Sequence, residues 1–340
     1  MTYDLEDWRR RALDAEAEIG RAVIGQERAI RLILVSLLAR GHVLLEGDVG
    51  VGKTTLLRAF ARALGGPFAR MEGAIDLMPA DLLYTAWIAE DGRPRVDPGP
   101  VLQHGPDLAV FFFNEINRAR PQVHSLLLRL MAEGSATAFR TEHVFPYLTV
   151  FADRNQIERD ETFELPAAAR DRFLMEIGIA APAGREAREA LVFETRFHDS
   201  DRLIASVPEG MLSFRDLPAT AAAIQETIHV SPALRTFVMT LWDTLRAPDA
   251  AEVGLPGVDV ARLVAGGASP RGISGLVRAA RVHAFLEGRN MTLPEDVRAV
   301  LGPVVAHRIF LAPVYEARRA EIVPALVDAA LARAPVPVAA

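Results

Sequence analysis

Three short apolar runs divide the first half of the chain, at residues 42–45, 108–113 and 148–152. Each run is continuous rather than alternating, which is typical of parallel strands buried on both faces. Helical patterns lie between the runs. Strands that alternate with helices predict βαβ units, and hence an α/β fold with a parallel sheet flanked by helices.

Two amphipathic helices accompany these strands. The segment 27–40 has apolar side chains at helical spacing, namely Ile30, Ile33, Leu34, Leu37 and Leu38. In a second helix, Pro121 suits the first turn and Gly134 the end. Each helix is expected to pack one apolar face on the sheet.

The pattern changes near residues 178–184, beyond which helical patterns continue and no buried strand is evident. We therefore predict two domains, an α/β core over residues 1–200 and an all-α domain over residues 201–340. Within the second domain, residues 245–258 are rich in Gly, Pro and Asp and are predicted to form a loop.

Composition and charge narrow the functional classes. The chain has 340 residues, 50% of them hydrophobic, and a formal net charge of −6. This charge gives no basic field for a phosphate backbone, so no nucleic-acid partner is predicted. There is no cysteine, and no apolar run approaches the length of a membrane span. We predict a cytoplasmic protein without a membrane span.

A glycine-rich motif contains the only lysine of the chain. Lys53 is the single exception among 38 basic residues, the rest being arginine, and it lies in the pattern GxxxxGKT. Glycines in such a loop direct backbone N–H groups at phosphates, the lysine binds the β- and γ-phosphates, and Thr54 offers its hydroxyl to Mg²⁺. The predicted nucleotide-binding residues are Gly47, Asp48, Val49, Gly50, Val51, Gly52, Lys53, Thr54 and Thr55.

The surroundings of the motif fit this chemistry. The apolar run 42–45 precedes it, and residues 54–64 have helix-forming composition without Gly or Pro. The order strand, loop, helix places phosphates at a helix N-terminus, where unpaired N–H groups and the helix dipole favour anions.

Several motifs together resemble the MoxR family of AAA+ ATPases. They are Val23-Ile24-Gly25-Gln26, the GxxxxGKT loop, Asn114-Glu115-Ile116-Asn117-Arg118-Ala119, Asp171-Arg172-Phe173 and Gly267-Ala268-Ser269-Pro270-Arg271. The resemblance covers roughly residues 15–335. It implies a P-loop AAA+ core with a C-terminal all-α lid, ATP and Mg²⁺ as cofactors, and a helix-2 insert at about residues 76–103.

The resemblance also implies roles for individual residues. Glu115 would polarise the attacking water, and Asn155 would be the sensor-1 residue. Arg172 would be the arginine finger, with Arg170 as its close rival, and Arg271 would be the sensor-2 residue. Ile24 and Gly25 would contact the nucleotide.

One departure from the family pattern concerns the metal. The family normally has Asp-Glu at the end of the second strand, whereas this chain has Asn114-Glu115. An amide keeps an oxygen for the metal site but gives up the negative charge, so Mg²⁺ affinity and hydrolysis are both expected to fall.

The resemblance implies ATP-driven remodelling of a partner protein or metalloenzyme by a homo-oligomeric, hexameric ring, in some members with a von Willebrand factor A domain protein. Two alternatives stay open from the sequence. One is a nucleotide-binding switch or scaffold with little turnover, because of Asn114, and the other is a magnesium-chelatase-like ATPase subunit.

Overall fold

A computed structural model describes residues 4–48, 50–154 and 163–335. The first part of the chain contains α1 (Leu5–Ala22), α2 (Glu27–Leu38), β1 (His42–Glu46), α3 (Lys53–Leu64), β2 (Phe68–Glu72), α4 (Pro79–Leu83), β3 (Tyr84–Ile88), β4 (Pro94–Pro98), β5 (Val110–Asn114), α5 (Pro121–Glu133), β6 (Ser135–Ala138), β7 (Thr141–Val144), β8 (Thr149–Arg154), α6 (Ala167–Arg170) and β9 (Phe173–Gly178).

The remainder is mainly helical. It contains α7 (Arg185–Phe193), α8 (Ser200–Ser206), α9 (Leu217–Thr227), α10 (Pro232–Arg246), β10 (Val264–Gly266), α11 (Pro270–Leu286), α12 (Pro294–Val305), β11 (Phe310–Leu311) and α13 (Arg319–Arg333). In the described ranges no helix is both long enough and apolar enough to cross a membrane.

The central sheet has five parallel strands in the order β2-β5-β8-β1-β9. The three strands predicted from apolar runs are its middle members β1, β5 and β8. The predicted α/β class with a parallel sheet is therefore confirmed. Because all strands run the same way, their carboxyl ends meet at one edge, which we call the carboxyl edge, and their amino ends meet at the other.

Side chains of β5 show why the central runs are continuously apolar. Phe111 and Phe113 lie in one apolar cluster with α5, while Phe112 lies in the other cluster with α1, α2 and α3. All three rings are fully buried. Both faces of the sheet are thus covered, as expected for parallel strands.

The outer strands β2 and β9 were not predicted. β2 reads Phe-Ala-Arg-Met-Glu, and its alternation of charged and apolar side chains reflects its place at one side of the sheet. β9 carries Glu176 and follows Asp171-Arg172 directly, so no apolar run stands out.

The helical region contains one feature that the prediction lacked. Strands β10 and β11 form a short antiparallel ribbon, so the lid is not purely helical. Helices α9 and α11 pack on α1 and α2, and their apolar side chains join the same core cluster as one face of the sheet. The domain boundary near residue 200 stays a prediction.

Candidate nucleotide-binding site

The glycine-rich loop follows β1 at the carboxyl edge. Gly50 and Gly52 have φ of 81° and 87°, a left-handed conformation that favours glycine, and Gly52 precedes the first residue of α3. A Cβ on Gly47 would lie 2.1 Å from the Ile179 carbonyl oxygen. The loop conformation therefore requires glycine at each of these positions. Val49 lies outside the described residues.

Lys53 begins α3 and is almost fully enclosed, with 9% of its surface exposed. Its Nζ donates to the Gly47 carbonyl oxygen at 2.7 Å and forms an ion pair with Asp153 Oδ2 at 2.7 Å. Asp153 itself is 1% exposed. The ammonium thus stands beneath the loop, between a backbone carbonyl and a buried carboxylate.

Thr54 and Thr55 occupy the first turn of α3 and are half-buried. The first N–H groups of a helix have no intrahelical partner, so this turn favours phosphate oxygens. The described residues contain no cluster of three His, Cys, Asp or Glu side chains able to hold a metal ion alone. A cation here would depend on the nucleotide's phosphates together with single protein oxygens.

The end of β5 lies two strands away from β1, across β8. Glu115 has φ of 53°, an unusual conformation for a residue with a side chain, and its N–H donates to Asp153 Oδ1. Its carboxylate pairs with Arg118 at 3.0 Å. Asn114 Nδ2 donates to Glu72 Oε1 on β2. Glu115 and Asn114 thus lie at the same edge of the sheet as Lys53.

Oxygen donors from α3, β5 and β8 therefore lie with the loop at the carboxyl edge. They are the Thr54 hydroxyl, the Asn114 amide and the carboxylates of Glu115 and Asp153. Such hard oxygen ligands suit Mg²⁺. The donor set fits a phosphate-bound magnesium ion, although Asn114 contributes no charge.

A cavity of about 700 Å³ lies beside β9 and the lid. Gly25 lines it, together with Gln26, Ala29 and Leu32 of the core and Pro303 of α12. Gly25 has φ of 74°, and Gln26 Nε2 donates to the Ala180 carbonyl oxygen at 2.6 Å. Ile24 is half-buried next to this cavity but is not among its lining residues. The apolar part of the lining of this cavity, which includes Ala29, Leu32 and Pro303, suits a nucleotide base.

Arg172 and Arg271 lie elsewhere, at the amino edge of the sheet. Both line a second cavity of about 290 Å³, together with Gly41 and His42 at the start of β1. Since β1 has five residues, its first and last Cα atoms are about 13 Å apart. The two arginines are therefore separated from the glycine-rich loop of the same chain by the length of the strand.

Asp171, which also lines this second cavity, contacts three residues of the helical region. Its carboxylate accepts from the Ser269 hydroxyl at 2.8 Å and from Arg308 Nε at 3.0 Å, and Arg271 lies 3.7 Å away. Arg308 is buried and also donates to carbonyl oxygens of β9. This network ties the first turn of α11 to the segment that carries Arg172.

Arg170 has a different setting. Its guanidinium stacks 4.8 Å from the centre of the Phe310 ring, and burial lowers its pKa. Arg172, by contrast, faces the cavity that contains Arg271. The packing therefore favours Arg172 over Arg170 as the residue available to a ligand, although the identity of the finger stays a prediction.

Burial shifts the pKa of two titratable groups, His42 at the start of β1 and Glu176 within β9. Burial lowers the pKa of His42 to about 4, so the ring is neutral at pH 7 beside the arginines of the second cavity. Burial raises the pKa of Glu176, although Arg154, 3.0 Å away, favours its charged form. Arg154 also pairs with Glu46 at 2.9 Å.

Comparisons with known proteins agree with these arrangements. Residues 42–175 match the ATPase family associated with various cellular activities (AAA), and residues 259–332 match the AAA lid domain. The chain is 65% identical to Protein MoxR of Paracoccus denitrificans over 339 residues, covering 100% of both chains. It belongs to the MoxR family of AAA+ ATPases.

Other relatives extend this result. Protein MoxR of Methylorubrum extorquens is 61% identical over 98% of this chain and 97% of its own. Chaperone MoxR1 of Mycobacterium tuberculosis is 36% identical over 91% of this chain and 78% of its own. A crystal structure of a candidate ATPase from Cytophaga hutchinsonii has a TM-score of 0.82 at 28% identity, covering 97% and 96% of the two chains.

The MoxR resemblance gave no role to Asp153, which contacts both Lys53 and Glu115 in the structure. The available signal was a carboxylate directly after a predicted buried strand, a place where α/β proteins commonly put ligand-binding groups. Glu72 was missed because its strand was not predicted. Asn155, the expected sensor-1 residue, lies outside the described residues.

Proposed function

We propose that this MoxR-family protein binds ATP with Mg²⁺ at the carboxyl edge, hydrolyses it, and uses the energy to remodel a partner protein. The observation that carries the proposal is the position of Lys53, held beneath the glycine-rich loop by Gly47 and Asp153. Asp153 in turn holds the backbone of Glu115. One buried carboxylate therefore connects the phosphate-binding lysine with the residue proposed to activate water.

Each residue has a role that its position supports. The loop N–H groups and Lys53 would bind the phosphates, for which Lys53 must exchange its contacts with Gly47 and Asp153 for phosphate oxygens. Glu115 would orient and polarise the attacking water. Bound Mg²⁺, with Thr54 and Asn114 as its expected protein contacts, would neutralise charge that develops on the phosphates.

The amino-edge arginines require a neighbour. Arg172 and Arg271 lie at the opposite end of β1 from the loop, so we infer that both act on the nucleotide of an adjacent subunit. Such an arrangement needs a closed homo-oligomer, and we propose a hexameric ring. The exposed apolar side chains Val192 and Phe193 of α7 support a further subunit contact.

A protein client is proposed from the exposed apolar side chains of the β3–β4 hairpin. Ile88 is 75% exposed and Val96 50%, and the strand register places them on one face. Phe139, at the tip of the β6–β7 hairpin, stacks 4.5 Å from Tyr84. Apolar groups of this size in solvent are typical of interaction surfaces. The chaperone name of MoxR1 agrees with a client of this kind.

The identity of the partner is a narrower proposal. We propose as the partner a metalloenzyme whose maturation requires remodelling, or a von Willebrand factor A domain protein. We propose the cytoplasm as the location of this MoxR-family protein. The switch or scaffold alternative is favoured by Asn114, whose amide pairs with Glu72 and adds no charge. Nothing in the described residues favours the magnesium-chelatase-like alternative.

The function is tested by binding and turnover together. A fluorescent ATP analogue should bind the purified protein, and phosphate release should exceed that of Glu115→Gln, which retains binding but loses water activation. Mass measurement in solution with ATP should give a ring. Binding without turnover above the Glu115→Gln blank would support the switch instead, and absence of binding would rule out both.

We expect Asn114→Asp to lower the Mg²⁺ concentration needed for half-maximal ATPase activity. It adds a charge close to the metal, where such changes alter metal affinity about 10- to 100-fold. The new carboxylate would also face Glu72, so the nucleotide-free protein should melt at a lower temperature. ATPase rate is titrated against Mg²⁺ for both forms, and superimposable curves would contradict the expectation.

Ile88→Ser combined with Val96→Ser should abolish client capture and leave the ATPase rate without client unchanged. These side chains lie on one exposed face, while the bond from Trp87 Nε1 to Asp97, at 2.7 Å, joins the two strands on the other face of the hairpin. Capture is measured by affinity purification in the Glu115→Gln background. Met239→Ser, an exposed apolar residue of α10, is the matched control. Equal capture by both variants would place the client site elsewhere.

A further inference from the structure

Asp153 is a buried carboxylate that contacts both the phosphate-binding Lys53 and the backbone of Glu115. It lies on β8, the strand between β1 and β5. One of its oxygens is 2.7 Å from Lys53 Nζ, and the other accepts the N–H of Glu115. A carboxylate with 1% exposure is costly unless it has a cationic partner. Within one chain, Lys53 is that partner.

The strand register places Asp153 next to Asn114. Phe113 of β5 pairs with Ala152 of β8, so the residues that follow them are neighbours at the carboxyl edge. Asn114 is neutral, and its amide nitrogen is directed at Glu72. The negative charge absent from the end of β5 is thus present at the same level on the adjacent strand.

We propose that Asp153 provides, in place of Asn114, the negative charge that the magnesium site needs. When phosphates draw Lys53 away, the Asp153 carboxylate loses its partner while remaining buried. A hydrated Mg²⁺ that arrives with the nucleotide restores the balance of charge. Asp153 acts as a positioning residue, through Lys53 and the water molecules of the cation, and the inference rests on the function proposed above.

A purely structural role makes a different prediction. If Asp153 only held Lys53 and Glu115 in place, its loss would weaken nucleotide binding equally with and without Mg²⁺. If it supplies charge to the metal site, its loss should raise the Mg²⁺ requirement selectively. Binding without Mg²⁺ should stay the same or become tighter, because Lys53 no longer has to leave an ion pair.

The test measures the binding of a fluorescent ATP analogue in EDTA and over a range of Mg²⁺ concentrations. Asp153→Asn keeps an acceptor for the Glu115 N–H and removes the charge. We expect it to need about 10- to 100-fold more Mg²⁺ for half-maximal enhancement of binding. The charge-exchanged variant, Asn114→Asp with Asp153→Asn, should return to within a few-fold of the unaltered protein. Asp107→Asn, a surface acid paired with Arg215, controls for net charge.

The outcomes distinguish a failure of the inference about Asp153 from a failure of the proposed function. An unchanged Mg²⁺ midpoint in Asp153→Asn, equal losses in EDTA and Mg²⁺, or a charge-exchanged variant no better than the single variant would each overturn the inference. If Asp153→Asn fails to fold, the charge-exchanged variant decides: a normal midpoint supports the inference, and a shifted midpoint or a second failure to fold overturns it. If the unaltered protein binds no nucleotide, the proposed function fails as well.

Discussion

Lys53→Arg is expected to abolish nucleotide binding almost as completely as Lys53→Ala. The ammonium lies 2.7 Å from both the Gly47 carbonyl oxygen and Asp153 Oδ2. A guanidinium is wider and planar and would pair with both oxygens of Asp153, remaining there when phosphates arrive. Loss of a buried charge-assisted contact costs about 2–5 kcal/mol, which corresponds to about 30- to 4,000-fold in affinity.

Titration with a fluorescent ATP analogue measures this effect. The reverse exchange, Arg58→Lys, is the matched control, because Arg58 lies on the exposed face of α3 and pairs with Asp201 at 2.8 Å. It should bind nucleotide normally. Melting temperatures establish that each variant is folded. An arginine variant that binds ATP within a few-fold of the unaltered protein would show that a cation of any shape suffices.

Arg172→Ala should retain ATP binding and lose hydrolysis, since its side chain lies at the amino edge and would serve a neighbour. An arginine finger is worth about 10³–10⁵ in rate. Arg170→Ala is the control: losing the stack on Phe310 should lower the melting temperature and leave the rate per folded ring close to normal. The opposite ranking of the two rates would make Arg170 the finger.

Mixed rings test whether the arginine acts between subunits. Neither Arg172→Ala nor Lys53→Ala rings should hydrolyse ATP alone. When they are combined, an intact Arg172 from a Lys53→Ala subunit can face a competent loop in an Arg172→Ala subunit, so activity should return in part. Verified mixed rings without any activity would contradict action between subunits.

The sequence predicted the parts of the fold with strong local signals. β1, β5 and β8 are apolar throughout because both faces are covered, and the glycine-rich loop was recognisable from its spacing. The positions of β2 and β9 follow from pairing with a neighbour rather than from composition. Their mixed polarity therefore gave no comparable signal.

The site residues also divide into those that a local motif indicates and those whose contacts depend on the fold. Glu115 and Asn114 could be assigned to the end of an apolar strand from the sequence, and parallel strands bring such ends together at one edge. No motif indicated that Arg172 and Arg271 share a cavity through Asp171 and Arg308, since that network joins residues far apart in the chain. The contact between Asp153 and Lys53 likewise depends on which strands are adjacent.

The apolar cluster shared by the sheet, α1, α2 and the lid helices has a consequence for how the chain can be divided. Buried side chains such as Ile33 of α2 and Leu276 of α11 belong to one continuous interior. A cut near residue 200 would leave each fragment with a large water-exposed apolar face. We therefore expect each of the two parts to gain a share of its stability from the interior that it forms with the other.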